Sequence, residues 1–496
     1  MTNKWLSKYY NGLIITVIIF FIAFIAVVFH YPIQIIDALS SEAVQGIGIK
    51  ISVWRVIFEP FLGILLFYLR ADQPILEFVM LLIWILEFYL LATIAVHVLR
   101  RENKLGKTLL KSVLVWLRRV PMVVIVWFGV LVFIIAMSLP ANTISNDREN
   151  AVLINTHSHT EYSHDGIISQ EGLQLWHGKH NFDAFFITDH NHHEKTMELV
   201  QAQRDGKMSP EPLIMIGEEF SGSNHMTMLG LKRNFITQGL SDQQVIDSTH
   251  DDNGVVIVAH WFDGERESIP FFIDLNVDGF EIANQGPESI YDRRIFDNIV
   301  DACTTNGLIM NGATDYHGYG STCFVWNALD IPGWHDMEMD QKEEAILDVL
   351  RQKDMSKIKV LIYNDRKAFK RELVFFSPVV SVISYFRTLN FFQVLSWLIW
   401  MIIIQVIRLR FQNKKIMGRI KIGSLQLIEM LTFLSGFFML FLGANLIHRA
   451  TSLTEYNDIY SEYGETLLWI GGGSLLYLIA LLLFEKRLRR SKSKLT

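Results

Sequence analysis

The stretch AVLINTHSHTEYSHDG, residues 151–166 of a 496-residue chain, decides the fold. Val152, Leu153 and Ile154 make a short apolar run of the kind a buried strand requires. His157-Ser158-His159 follows almost at once. In extended backbone alternate side chains point the same way, so this spacing aims two imidazoles at one point. Such a pair at the C-terminal end of a strand lies where a βα-barrel, if the rest of the chain forms one, carries its chemistry.

The same pattern continues to about residue 365. Strands are predicted at Val152–Asn155, Ala184–Thr188, Leu213–Ile216, Met226–Leu231, Val255–Ala259, Gly279–Ala283 and Leu308–Gly312, with helical stretches at 167–180, 191–204, 241–252 and 288–305. Seven strands alternating with helices point to an α/β barrel rather than an open sheet. Residues of metal-ligand type fall at the strand ends: His157 and His159, Asp189 and His190, Glu218 and Glu219, His225, His260, and Asp315 with His317. Twelve of the sixteen histidines lie between positions 157 and 317, a density that demands a chemical reason.

Imidazole and carboxylate together suit zinc, manganese or iron. The candidates are too many for one tetrahedral ion, so two or three divalent ions are implied. A carboxylate such as Glu219 would bridge them. Clustered ions generate hydroxide at neutral pH and stabilise charged ester oxygens in the transition state. His177, His180, His192, His193 and His250 lie on helix-like or loop stretches and are read as ordinary structural histidines. Two cysteines, Cys303 and Cys323, exclude a disulfide framework and a Cys-based zinc module. They could form one bridge or remain two buried thiols.

The chain is half hydrophobic, with a mean hydropathy of +0.26. Seven apolar segments approach the roughly 20 residues that a bilayer-crossing helix needs: about 11–29, 51–69, 76–98, 120–139, 389–407, 425–447 and 466–484. They divide the chain into an N-terminal membrane block (1–145), the barrel region (146–370) and a C-terminal membrane block (371–496). Lys4 and Lys8 precede the first segment, but it is long and no small-residue cleavage pattern follows, so it is read as an uncleaved anchor. Basic clusters tend to stay cytoplasmic. Those at Arg100–Arg119, Arg408–Lys421 and Lys486–Lys494 fall on one side if spans are counted between them, which leaves the barrel region on the extracytoplasmic side. A lysine-bearing cytoplasmic N-terminus then requires one early segment not to cross. The candidate is 51–69, where Arg55, Glu59 and Pro60 suggest a re-entrant or interfacial element.

The motifs THSHT with DG (156–166), ITDHN (187–191), GEE (217–219), HMTMLG (225–230), AH (259–260) and TDYHG (314–318) resemble, in this order, the PHP (polymerase and histidinol phosphatase) superfamily. The resemblance covers about 155–320 and leaves the membrane blocks unaddressed. It implies a distorted seven-stranded βα-barrel with a di- or trinuclear site hydrolysing phosphate esters. The ligands it implies are His157, His159, Asp165, His190, Glu219, His225, His260, Asp315 and His317. Glu219 rather than Glu218 matches the family's G-x-E spacing. The usual S-D-G is here Ser163-His164-Asp165-Gly166, so His164 competes with Asp165, which keeps its place before the glycine. The helix-then-strand stretch 345–362 is similar to the ending of a branch that includes carbaryl-type hydrolases.

The expected activity is therefore hydrolysis of a small-molecule or lipid-linked phosphate ester by a multi-pass membrane protein. A carboxyl-ester or carbamate hydrolase on the same centre, and a non-catalytic sensor or transporter, are the alternatives. No nucleic-acid partner is expected, because the central region is acidic and carries no basic run.

Overall fold

The computed structural model describes residues 2–71, 74–99, 105–261, 267–285, 293–366, 375–413, 424–453 and 455–493. The chain opens with helix α1 (Thr2–Val28), then strands β1 (Gln34–Asp37) and β2 (Ile47–Lys50). A broken helix follows, made of α2 (Val53–Ile57), a π-helical turn (Glu59–Gly63) and α3 (Ile64–Leu69). Helices α4 (Pro74–Leu99) and α5 (Leu105–Ala136) lead to β3 (Thr143–Asn146) and the barrel.

The barrel alternates strand and helix: β4 (Ala151–Asn155), α6 (Gln170–Lys179), β5 (Ala184–Ile187), α7 (Glu194–Arg204), β6 (Leu213–Ser221), β7 (His225–Leu229), α8 (Asp242–Asp251), β8 (Val255–Val258), α9 (Ile269–Asp274), β9 (Gly279–Asn284), α10 (Arg293–Asn306), β10 (Ile309–Ala313), β11 (Val325–Asp330), α11 (Met339–Gln352) and β12 (Ile358–Asn364). After it come α12 (Ser377–Thr388), α13 (Phe391–Asn413), α14 (Ser424–Leu453) and α15 (Ile459–Ser493).

All seven expected strands form, within a ten-stranded curled sheet of order β1-β12-β11-β4-β5-β6-β7-β8-β9-β10. Of the outer three strands, β12 falls at the end of the helix-then-strand stretch 345–362, while β1 and β11 escaped the sequence reading. β11 pairs antiparallel with β4 and with β12, and β12 takes β1 from the stretch between the first two apolar segments. β7 runs antiparallel to both neighbours, which distorts the barrel. β10 comes back to β11 through a side chain: Asn327 Nδ2 donates to the Gly312 carbonyl and its Oδ1 accepts from the Gly312 amide, both at 2.7 Å. Only glycine fits there, since a Cβ at position 312 would lie 2.5 Å from Val325 and 2.8 Å from Val360.

One apolar layer, including Leu153, Phe185, Ile214, Val256 and Phe280, alternates along the strands with a second, including Val152, Ile154, Phe186 and Ile257. That period-two division buries both faces of the sheet and holds the strand ends in place. Cys303 and Cys323 are two buried free thiols, and burial pushes Cys303 up to about 12.

Four helical stretches are long and apolar enough to cross a membrane: Pro74–Ala92, Arg119–Ala136, Gln426–Leu453 and Ile459–Phe484. A fifth counts if the pair α12 and α13, bent by 112°, is one broken span. Gly12–Val28 and Glu59–Leu69 are shorter apolar helices. Both ends of the 51–69 segment are tied to parts of the chain far away in sequence. Lys50 pairs with Thr143 in the β2–β3 ladder, and Arg70 meets Asp365, just past β12, at 2.8 Å. Between those ends Arg55 and Glu59 pair at 3.0 Å, fully buried. Glu59 also accepts from Tyr385 (2.7 Å) and Gln393 (3.0 Å), so its charge is fully compensated. The basic residues Arg100, Arg101, Lys104, Lys414, Lys415, Arg419, Lys421 and Lys494 lie outside the described residues.

Candidate metal centre

β4 ends at Asn155, whose side chain turns back to donate to the His157 carbonyl (3.0 Å) and to Thr314 (2.7 Å). This lock aims His157 and His159 inward. Their Nε2 atoms lie 3.0 Å apart, and each is 3.0 Å from Glu219 Oε2 and 3.2 Å from Asp315 Oδ1. Two imidazole nitrogens facing each other across carboxylate oxygens is the donor arrangement of a cation site rather than of a hydrogen-bonded network. Asp315 Oδ1 is buried and accepts no hydrogen bond, as a coordinating oxygen would be.

Two further groups adjoin the first. His159, Asp165, His190 and His317 converge, with Asp165 Oδ2 at 3.0 Å from His317 Nε2 and 3.2 Å from His190 Nε2. His190, Glu219 and His225 form the other, and His260 Nε2 reaches Glu219 Oε1 at 3.0 Å. Glu219 thus shows Oε2 to His157, His159 and His190, and Oε1 to His225 and His260. A carboxylate with each oxygen facing a different set of nitrogens has the geometry of a bridge. The donor set fits divalent metal ions, and Glu219 belongs to two of the three groups.

Strand periodicity separates Glu219 from Glu218. β6 runs on through both, so their side chains take opposite faces. Glu218 points away and bonds His193 and Thr237. Asp189 is likewise used elsewhere, accepting from the Thr160 amide (2.6 Å) and hydroxyl (2.7 Å). Asp165 is brought into the cluster while His164 stays outside it, two-thirds exposed and 3.9 Å from Asp165. The loop makes this turn because residue 166 is glycine; a Cβ there would meet the Thr160 carbonyl at 2.0 Å. His260 and Asp315 hold positive φ values of 25° and 47°, conformations that cost about 1–3 kcal/mol each and gather at functional sites.

Second contacts select which ring nitrogen faces inward. His157 Nδ1 meets Glu281 Oε1 at 2.8 Å, and His317 Nδ1 meets the Asp315 carbonyl at 2.7 Å, which leaves each Nε2 for the centre. Glu281 was missed in the sequence reading. Its trace there was a carboxylate set within an otherwise uncharged strand, GFEIAN, every residue of which is buried. It also accepts from the His260 amide and from Asn284, both at 2.9 Å.

Burial alone would lower the imidazole pKa values, yet the facing carboxylates win. His157 is raised well above its usual value, His159 to about 10 and His260 to about 9. Burial would raise the carboxyls of Asp165, Glu219 and Asp315, and the surrounding histidines hold all three well below the ordinary range. The five histidines read as structural sit apart from the three groups. His177 and His180 are buried, and burial drops both to about 3. His192 bonds the Tyr162 carbonyl, and His250 pairs with Asp278 at 2.9 Å.

Beside His190 opens a cavity of about 920 Å³. Two of its walls, Asn191 and Ser221, are tied to the centre: Ser221 Oγ lies 3.2 Å from His190 Nδ1, and the Asn191 amide donates to the Glu219 carbonyl.

No family model matches the chain, and no curated protein matches it. Among solved structures the chain is similar to a protein of Bifidobacterium adolescentis named as a metal-dependent phosphoesterase, at 16% identity over 34% of this chain and 88% of that one, with a TM-score of 0.28. It is similar also to a two-domain protein of Bacteroides vulgatus with a predicted PHP-like metal-dependent phosphoesterase domain (12% identity, 43% and 65% of the two chains, TM-score 0.33). A third is an amidohydrolase of Chromobacterium violaceum with bound sulfate and no metal (12%, 38% and 96%, 0.27). At scores this low the donor atoms, rather than the likenesses, carry the chemistry. The solved structures to which this chain is similar thus include PHP-like metal-dependent phosphoesterases.

Proposed function

We propose that the chain is a membrane-anchored, metal-dependent hydrolase of phosphate esters. The observation that carries this is the convergence of six imidazoles and three carboxylates around Glu219 and Asp315. Bound divalent ions would supply a hydroxide nucleophile and neutralise the ester oxygens. On this reading His157, His159, Asp165, His190, Glu219, His225, His260, Asp315 and His317 hold them, with Glu219 as bridge. Glu281 fixes the His157 ring. The cavity beside His190 gives room for the organic part of the ester.

The barrel faces the extracytoplasmic side in this proposal. α1 and α5 end, and β1 and β3 begin, on the barrel side, and the acidic α14–α15 turn reaches the barrel as well. The lysine-bearing N-terminus and the basic stretches then share the far side, as cytoplasmic segments do. The broken helix 53–69 is the re-entrant element that makes this count consistent. With the site held against the membrane block, a lipid-linked phosphate ester fits as well as a small soluble one.

The test uses the full chain in detergent, with p-nitrophenyl phosphate and p-nitrophenyl acetate side by side and elemental analysis of bound metal. Bound transition metal and preferential turnover of the phosphate are expected, with activity at background in His157→Ala/His159→Ala. Metal-free protein with undiminished turnover would sink the proposal, and preference for the acetate would move it to carboxyl esters.

A further inference from the structure

The loop Thr160–Ile168 carries Asp165 into the centre, and the membrane block grips it along its length. Near its start, the Glu161 carboxylate accepts from Tyr460 (3.0 Å) and pairs with Arg449, whose guanidinium also lies over the Tyr460 ring. Near its end, Asn457 Nδ2 donates to the Gly166 carbonyl, and it reaches the Glu161 carbonyl at 3.4 Å. Tyr162 packs edge-on against Tyr456, and Tyr162 and Ile167 join a buried cluster with Ala450, Leu453 and Tyr460. Tyr319 closes the ring: its hydroxyl donates to the Asp165 carbonyl (3.2 Å) and meets the Tyr463 hydroxyl at 3.5 Å.

Arg449, Asn457, Tyr460 and Tyr463 all belong to the end of the α14–α15 hairpin. Glu161, 9% exposed, has its charge answered by Arg449 of that hairpin. Within the loop, Asp165 Oδ1 takes only the Ser163 hydroxyl (2.6 Å), a contact that moves with the loop.

We propose that the α14–α15 hairpin is part of the metal centre, with Arg449, Asn457 and Tyr460 as positioning residues that hold Asp165 and so set the affinity of the ion position at His159, Asp165, His190 and His317. This rests on the metal-binding reading above. The position formed by His157, His159, Glu219 and Asp315 draws nothing from the gripped loop beyond His159, which lies just before it, so the hairpin's effect is confined to the outer position. A change of tilt or packing in those two helices would then be felt at the ion position that includes Asp165 and not at the one formed by His157, His159, Glu219 and Asp315.

The experiment measures metal stoichiometry and affinity of the full chain in detergent, by manganese titration and chelator competition, for wild type, Arg449→Gln, Arg449→Lys, Asn457→Ala and Tyr460→Phe. Expected is one tightly held ion fewer than wild type, or about 10- to 100-fold weaker binding at the position that includes Asp165, with binding at the His157, His159, Glu219 and Asp315 position unchanged. Arg449→Lys should recover part of the loss, and excess manganese should restore kcat. Wild-type stoichiometry and affinity in the folded variants overturns the proposal, and so does equal weakening at every position. If Arg449→Gln does not fold, Tyr460→Phe, which removes one hydroxyl, is judged by the same criterion. A wild type that binds no metal fails the hydrolase reading instead.

Discussion

At the scale of residues, protons and metal compete for the same nitrogens. His157, His159 and His260 have raised pKa values in the metal-free fold, the latter two about 10 and about 9, against about 6.5 in an unfolded chain. The stability their protonation contributes is fully present below about pH 6.5 and is lost as pH rises through those folded values. Asp165, Glu219 and Asp315 have depressed values, so their contribution is present above the usual carboxyl range and lost as pH falls through the folded values. An incoming ion must displace the imidazole protons, so its binding strengthens as pH rises. The thermal midpoint gap between metal-loaded and chelator-treated protein should therefore widen from about pH 5.5 to about pH 9. A gap that stays constant would mean these imidazoles are not ligands.

At the scale of elements, one side-chain clasp joins β10 to β11. Asn327 satisfies both the amide and the carbonyl of buried Gly312, which stand in for the missing β10–β11 ladder. Gly312 lies three residues before Asp315, so the clasp also sets where that carboxylate emerges. Asn327→Ala orphans the buried Gly312 amide and leaves its carbonyl only the Thr156 hydroxyl at 3.2 Å, an expected loss of about 1–3 kcal/mol read as a lower thermal midpoint and faster proteolysis. The same midpoint as wild type would show that the ends close without it. The strand pattern that placed Asp315 at a strand end was legible in the sequence, because period-two burial needs only local order. The clasp was not, since its partners are fifteen residues apart on strands that meet only after the sheet curls.

At the scale of the whole molecule, the membrane blocks and the barrel share one sheet and one loop. β1 lies between α1 and α2 yet completes the sheet beside β12, and Arg70 ties the broken helix to Asp365. On the proposed topology, with that helix re-entrant, Leu105 and Asn413 would lie on the membrane face away from the barrel, and Ser40 and Asp458 on the barrel face. Single cysteines at Ser40 or Asp458 in a cysteine-free background should react with an impermeant maleimide applied to intact cells. Those at Leu105 or Asn413 should react only after permeabilisation. The reverse pattern would put the barrel in the cytoplasm.

The sequence by itself determined the strand-and-helix alternation, the ligand-type residues at strand ends and the apolar blocks around them. Each depends on spacing along the chain and on side-chain chemistry. Only the tertiary structure brought Asp165 rather than His164 into the cluster, revealed Glu281 behind His157, and joined the α14–α15 hairpin to the Asp165 loop. The reason is physical. Those contacts join residues about 120 to 290 positions apart, and which of the adjacent His164 and Asp165 turns inward depends on the turn at Gly166 and the packing around it.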